Sequence, residues 1–275
     1  MTPVLVFDIE TVPDVAGIRR LHGLGDDLSD YETAEFAFQK RRAATGSDFL
    51  ALHLQRVIVV SCVLRDERQI RVWSLAEPES GEGEIIQRFF DGVEKLTPQL
   101  VSWNGGGFDL PVLHYRGLIH GVRAPRYWDM GEGDYADSRD FRWNNYISRY
   151  HSRHLDLMDL LAMYQPRANA PLDELARLMG TPGKLGMDGS QVWQAWQDGR
   201  IAEIRDYCET DALNTYLVFL GFQLMRGALT PEAHRREIGA VRAFLAEQKQ
   251  AHWQEFLAGW PARSDSTGTT KENAA

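Results

Sequence analysis

The chain has 275 residues, 44% of them hydrophobic, enough for one large domain or a domain with an appendage. Its net charge of −9 counts against a protein that coats nucleic acid non-specifically, which needs clustered Lys and Arg, but leaves room for an enzyme with a local basic patch. No apolar run approaches the roughly 18–20 residues that span a membrane, and no secretion signal opens the chain, so a cytoplasmic protein with no membrane partner is expected.

Pro3–Phe7 reads as a buried strand that runs into two carboxylates, Asp8 and Glu10. A polar excursion over 13–54 follows, with helical stretches near Val15–Leu21 and Asp30–Arg42. Arg56–Leu64 and Gln69–Leu75 read as strands joined by a hairpin at Arg65-Asp66-Glu67-Arg68. Glu84–Leu96 has helical periodicity, with Ile85, Ile86, Phe89, Phe90 and Val93 on one face. Gln99–Trp103 is a fourth strand, followed by a glycine loop and a short helix near Asp109–Arg116.

Residues 117–153 read as irregular, with His154–Leu157 as a fifth strand leading into a helix over Met158–Tyr164. Further helices are expected from Pro171-Leu172-Asp173 through Met179, over Ser190–Asp198, and over Ile201–Leu220. Thr230 and Pro231, an N-cap and a first-position proline, open a last helix running to about Leu257. Cys62 and Cys208 read as isolated buried thiols. The element order predicts an α/β fold. Three antiparallel strands form a meander, later strands join in parallel through helical crossovers, and a mixed five-stranded sheet carries helices on both faces.

Three segments carry the chemistry. Asp8 and Glu10 lie two apart on a strand, so their side chains share one face and suit a hard divalent cation such as Mg²⁺ or Mn²⁺. Structurally, either residue would also serve as a turn cap near Pro13. Asp109 follows Gly105, Gly106 and Gly107, which let the backbone turn sharply and approach a ligand. Asp109 is equally a natural helix N-cap, and Asn104 either meets a substrate or pins the loop. The glycine run lacks the Lys-Ser/Thr of a nucleotide-cradling loop, which excludes ATP binding there. Tyr207 and Asp211, four apart, share one helix face, while Asp206 and Glu209 are expected in solvent.

In this order and context the segments resemble the DEDD superfamily of 3′–5′ exonucleases, on a ribonuclease H-like fold. D-x-E, N-x-x-x-F-D-x-P and Y-x-x-x-D are the motifs of the proofreading exonuclease domain of family-B DNA polymerases, and all three are present. The chain looks like the stand-alone, polymerase-B-like exonuclease family. The resemblance covers about residues 1–220. It implies catalytic Asp8, Glu10, Asp109, Tyr207 and Asp211, with the four carboxylates holding two divalent cations and Asp8 bridging them. Tyr207 places the chain in the Tyr subclass, as a group that positions or helps deprotonate the attacking water; Asp206 stands where the other subclass has its His. His151 and His154 are then not catalytic, and Asp156 and Asp159 are expected in capping and structural roles.

The expected substrate is the 3′ end of single-stranded nucleic acid, DNA favoured over RNA, with Thr11, Asn104, Phe108, Arg126 and Trp143 as candidate contacts. Residues 116–153 hold seven Arg and seven aromatics beside five acids, either to grip phosphates and bases or to close a subsidiary core. Trp193 and Trp196 read as core, and Lys40-Arg41-Arg42 as a solvated helix end. The expected division is an exonuclease domain over 1–225, a helical extension over 226–262 and a disordered tail over 263–275. The rival readings are a short-RNA exonuclease, a non-catalytic nucleic-acid-binding module on the same fold, and a phosphatase with an acidic nucleophile. Oligomeric state has no signature in the sequence.

Overall fold

A computed structural model describes residues 2–75 and 79–261, so the expected tail over 263–275 lies outside the described residues. The elements run β1 Val4–Pro13, α1 Val15–His22, α2 Asp30–Thr45, β2 Gln55–Arg65, β3 Ile70–Ser74, α3 Glu82–Leu96, β4 Gln99–Ser102, α4 Asp109–His120 and α5 Ser138–Phe141. They continue through β5 His154–Asp156, α6 Leu157–Leu161, α7 Leu172–Leu178, α8 Val192–Gln197, α9 Ile201–Met225, α10 Pro231–Glu247 and α11 Ala251–Ala258. The sheet order is β3-β2-β1-β4-β5; β1, β2 and β3 pair antiparallel, and β4 joins β1 and β5 in parallel. This is the expected mixed five-stranded α/β sheet.

The strand period of two sorts β1 between two cores. Leu5, Phe7 and Ile9 pack with α3, α4 and α8 on one face. Val6 faces the other way, into a core shared with α9, α10 and α11. Asp8 and Glu10 follow the parity of Val6 and look toward α9.

Two boundaries differ from expectation in ways that matter. The first strand does not end at Phe7; β1 continues to Pro13, paired with β2, with a register shift between Glu10 and Thr11. Its parallel neighbour is what ends, since β4 pairs only with Val4–Val6. Asp8 and Glu10 therefore lie along an edge that β4 leaves uncovered. The last helix is also not continuous. It breaks at Gln248, whose backbone is extended, and α11 folds back so that Trp253 and Phe256 join the core beside Val241 and Leu245. A run of polar residues, Glu247 to Gln250, carries no apolar face to hold a straight helix against the domain.

α9 is longer than expected and buried along most of its middle, which fixes Tyr207 and Asp211 against the sheet. On the opposite side a charged staple is sealed inside. Arg116 donates from Nη2 and Nε to Glu82 at 2.5 and 2.7 Å and from Nη1 to Asp14 at 2.6 Å. Glu82 also accepts the Val57 N–H at 2.8 Å. This joins α3, α4 and the end of β1. Among the described residues no helix is long and apolar enough to cross a membrane.

Candidate active site

Four carboxylates meet where β1, the head of α4 and α9 converge. Asp8 is half-buried, and Glu10, Asp109 and Asp211 are buried. Asp109 is the first residue of α4, with Phe108 at the cap position, so it sits inside the helix start rather than capping it. Burial raises the Asp8 carboxyl well above the carboxylate range, and the Asp109 and Asp211 charges add to that. Glu10 is raised likewise, first by burial and then by Asp8 and Asp211. Burial pushes Asp109 up to about 7, against the pull of its own and the Ile9 backbone N–H groups. These are like charges gathered in one low-dielectric place.

The glycine loop is set by backbone contacts. Asn104 has a left-handed φ of 65°, and the Asn104 and Gly106 N–H groups donate to the two oxygens of Asp156 at 2.9 and 2.8 Å. A Cβ at Gly105 would lie 2.2 Å from Ser102 Oγ, and one at Gly107 would lie 2.5 Å from Asn104 Oδ1, so the turn has no room for side chains. Asp156 also accepts the Asp159 N–H at 3.2 Å, the structural role expected of it. His154 is buried and shares a hydrogen bond with Ser102 Oγ at 2.8 Å, while His151 Nδ1 accepts the Asn145 N–H at 3.0 Å.

Tyr207 and Asp211 lie on the buried side of α9, with a partner the sequence reading missed. Lys184 Nζ sits 3.2 Å from Asp211 Oδ2 and donates to the Tyr207 hydroxyl. Its loop is pinned by Asp173, which accepts the Lys184 N–H at 2.6 Å, and by Asn214, which donates to the Gly183 carbonyl at 2.8 Å. Burial opposes the Lys184 charge, but Asp211, Asp8 and Glu10 outweigh it and hold the ammonium above its ordinary value. Burial, then Asp211, Glu10 and Asp8, drive the Tyr207 hydroxyl far up, so it stays protonated. The available signal was a lone Lys between Gly183 and Gly186 in a loop otherwise without charge until Asp188. The buried Cys208 thiol donates to the Asp8 carbonyl and to Asp8 Oδ2, both at 3.4 Å.

Other expected positions divide. Thr11 donates to Gln55 Oε1 at 3.0 Å, and with Glu10, Gln55 and Phe108 it lines one cleft of about 630 Å³. Arg126, expected at the substrate, is buried instead. Its guanidinium is taken by Asp137 at 2.5 Å and Asp129 at 3.3 Å and lies 4.0 Å from the Phe141 ring centroid. Tyr127, Phe141 and Tyr146 extend the main core of Phe7 and Phe89 around it, rather than closing a subsidiary one, while Trp128, Trp143 and Tyr150 of the same segment stay exposed. Trp143 is 79% exposed and stands apart from the cleft of Glu10 and Thr11. Trp193 and Trp196 pack at the core margin. Glu209, expected in solvent, accepts from Ser74 Oγ at 2.8 Å and pairs with His252 at 3.2 Å, because α11 folds onto α9 there.

The donor set fits a hard divalent cation. Carboxylate oxygens of Asp8 and Glu10 lie within 4.8 Å of each other, while the nearby Cys208 thiol, a soft donor, is turned to Asp8. Asp211 Oδ1 is buried with no hydrogen-bond partner, and Lys184 supplies one positive charge against four carboxylates.

The mixed sheet with carboxylates on its central strand is consistent with a ribonuclease H-like exonuclease fold. The profile of a family described as predicted 3′–5′ exonucleases related to the exonuclease domain of PolB matches residues 47–260, and this chain belongs to that family. The match includes Asp109, Tyr207 and Asp211; Asp8 and Glu10 precede it. The catalytic subunits A of DNA polymerase epsilon from Emericella nidulans and Aspergillus fumigatus are each 25% identical over 149 residues. That stretch is 52% of this chain and 6% of each polymerase.

Proposed function

We propose that this chain is a metal-dependent exonuclease that removes nucleotides from the 3′ end of single-stranded nucleic acid and releases nucleoside 5′-monophosphates. What supports this reading is the gathering of Asp8, Glu10, Asp109 and Asp211 close enough to raise one another's carboxyls, with Asp211 Oδ1 buried and without a partner. The four carboxylates would hold two Mg²⁺ or Mn²⁺ ions. Bound there, such ions supply hydroxide near neutral pH and offset charge on the leaving oxygen.

The chain's own residues do the rest. Tyr207, linked to Asp211 through Lys184, would position the attacking water or help deprotonate it through its hydroxyl. Lys184 fixes that hydroxyl and the orientation of Asp211. A water oxygen bonds to phosphorus, the P–O3′ bond breaks, and the shortened strand leaves with a 3′-hydroxyl. DNA is favoured over RNA because the relatives are named as DNA polymerase subunits.

The test is a time course on matched single-stranded DNA, duplex DNA and RNA, labelled at either end. Asp8→Ala should abolish digestion in Mg²⁺ without unfolding the protein; undiminished activity overturns the proposal. A preference for RNA would support the short-RNA reading. Calorimetry with Mn²⁺ separates the binding-module reading, which requires no metal uptake.

A further inference from the structure

A cavity of about 380 Å³ lies beyond the end of β1, outside every sequence motif. It adjoins the cleft of Glu10 and Thr11, and Pro13 and Trp193 stand in the walls of both.

The two differ in charge. Glu10, Glu35 and Asp48 line the cleft, and its Arg42 is taken by Asp48 at 2.6 Å. Four arginines, Arg19, Arg20, Arg56 and Arg116, line the adjoining cavity. Two of them are closed. Arg116 is held by Glu82 and Asp14, and Arg19 by Asp30 at 2.9 Å and the Leu28 carbonyl at 2.6 Å. Those three are the carboxylates of the wall, so Arg20 and Arg56 are left without one.

The surroundings of this pair suit a phosphate chain. Arg20, on α1, is exposed. Arg56, at the start of β2, lies 5.6 Å from the ring centroid of the half-buried Trp196, which fixes it against α8. Guanidiniums bind phosphate oxygens through paired N–H groups, and a cationic groove beside aromatic rings follows a single strand without reading its sequence. In a chain of net charge −9, two uncompensated cations in one cavity form a local field that draws in anions. The acidic cleft repels phosphates that no metal ion neutralises, and that repulsion gives way to attraction past Pro13 and Trp193.

We propose that Arg20 and Arg56 hold the backbone of the strand upstream of the nucleotide being removed. The segment of α1 and the start of β2 thereby form a phosphate track leading to the cleft, an inference that rests on the proposed function above. The track is indifferent to base identity, because phosphates carry none. It acts only on strands long enough to cross Pro13 and Trp193 from the cleft.

The double variant Arg20→Gln/Arg56→Gln tests this on a single DNA strand of about 16 nucleotides, the upper end of common single-strand site sizes, and on a trinucleotide. Binding is read by fluorescence anisotropy with calcium replacing magnesium, and digestion by KM and kcat. On the long strand the variant should raise Kd and KM about tenfold, with kcat within about twofold, and on the trinucleotide it should change neither. The slope of log Kd against log salt should fall by about 1.4, at roughly 0.7 per phosphate contact to a single strand. Neutral methylphosphonate linkages upstream of the 3′ end should weaken binding by the wild type and not by the variant. Arg20→Lys/Arg56→Lys keeps both charges and should bind nearly as the wild type, even if the Gln variant melts early. Equal losses on both substrates, an unchanged salt slope, or a Lys variant as weak as the Gln variant would overturn the track. If the wild type binds the long strand without digesting it, the exonuclease reading fails and the anisotropy comparison alone decides the track; if it does not bind, both fall.

Discussion

Lys184 Nζ bridges Tyr207 and Asp211, lying 3.2 Å from Asp211 Oδ2 while donating to the phenol. One cation thus orients both the Tyr207 phenol and a carboxylate of the cluster. Lys184→Met should lower kcat by about 10²-fold, in the range for a positioned group, with less effect on KM. Lys184→Arg should recover part of that loss. A melting temperature that collapses together with activity would instead mark Lys184 as structural.

Asp109 has an ordinary value of 3.8 and stands at about 7 in the folded protein. Between those values the native state keeps a proton that the unfolded chain has released. The Asp109 contribution to the stability of the metal-free protein should therefore fall as pH rises from about 4 to 7. Mg²⁺ must displace that proton, so it should stabilise strongly above pH 7 and weakly near pH 5. Thermal melts with chelator and with Mg²⁺ across this window check it; a metal response independent of pH would contradict it.

His252 behaves oppositely in charge and similarly in direction. It lies 3.1 Å from Asp206 and 3.2 Å from Glu209; burial opposes its charge, but these carboxylates hold it at about 9. Its contribution is complete below about pH 6.5 and is lost as pH rises through 9. His252→Gln should flatten the alkaline decline in melting temperature and loosen α11, read as faster amide exchange at Trp253. An unchanged alkaline slope would exclude this pair as its source.

Arg116 satisfies Glu82 and Asp14 in a sealed pocket. Arg116→Met should destabilise by about 3–5 kcal/mol, because it leaves the buried Glu82 with only His120 Nε2 at 2.7 Å and the Val57 N–H at 2.8 Å as partners. The double variant Arg116→Met/Glu82→Gln should recover most of that. Denaturant unfolding measures both, and additive losses would argue against the pairing.

Much of the fold was legible locally. Alternating and continuous apolar runs mark the five strands, and Thr230-Pro231 marks the start of α10 as an N-cap that accepts the Ala233 N–H at 3.1 Å. Boundaries failed where tertiary contacts overrule local signals. β1 reads as ending at Phe7 because carboxylates interrupt its apolar run, but pairing with β2 carries it to Pro13. α10 and α11 read as one helix because nothing in the run 247–250 breaks a helix by itself.

The sequence by itself determined which acidic residues can share a face. Strand parity puts Asp8 and Glu10 on one face, helical spacing does the same for Tyr207 and Asp211, and the glycines before Asp109 mark a tight turn. Only the tertiary structure decided what surrounds them. It brings Lys184 to Tyr207 across 23 positions, sets Arg56 against Trp196, and seals Arg126 among Asp129, Asp137 and Phe141. These choices depend on which distant segments become neighbours. A guanidinium in sequence reads the same whether it meets a phosphate or a buried carboxylate.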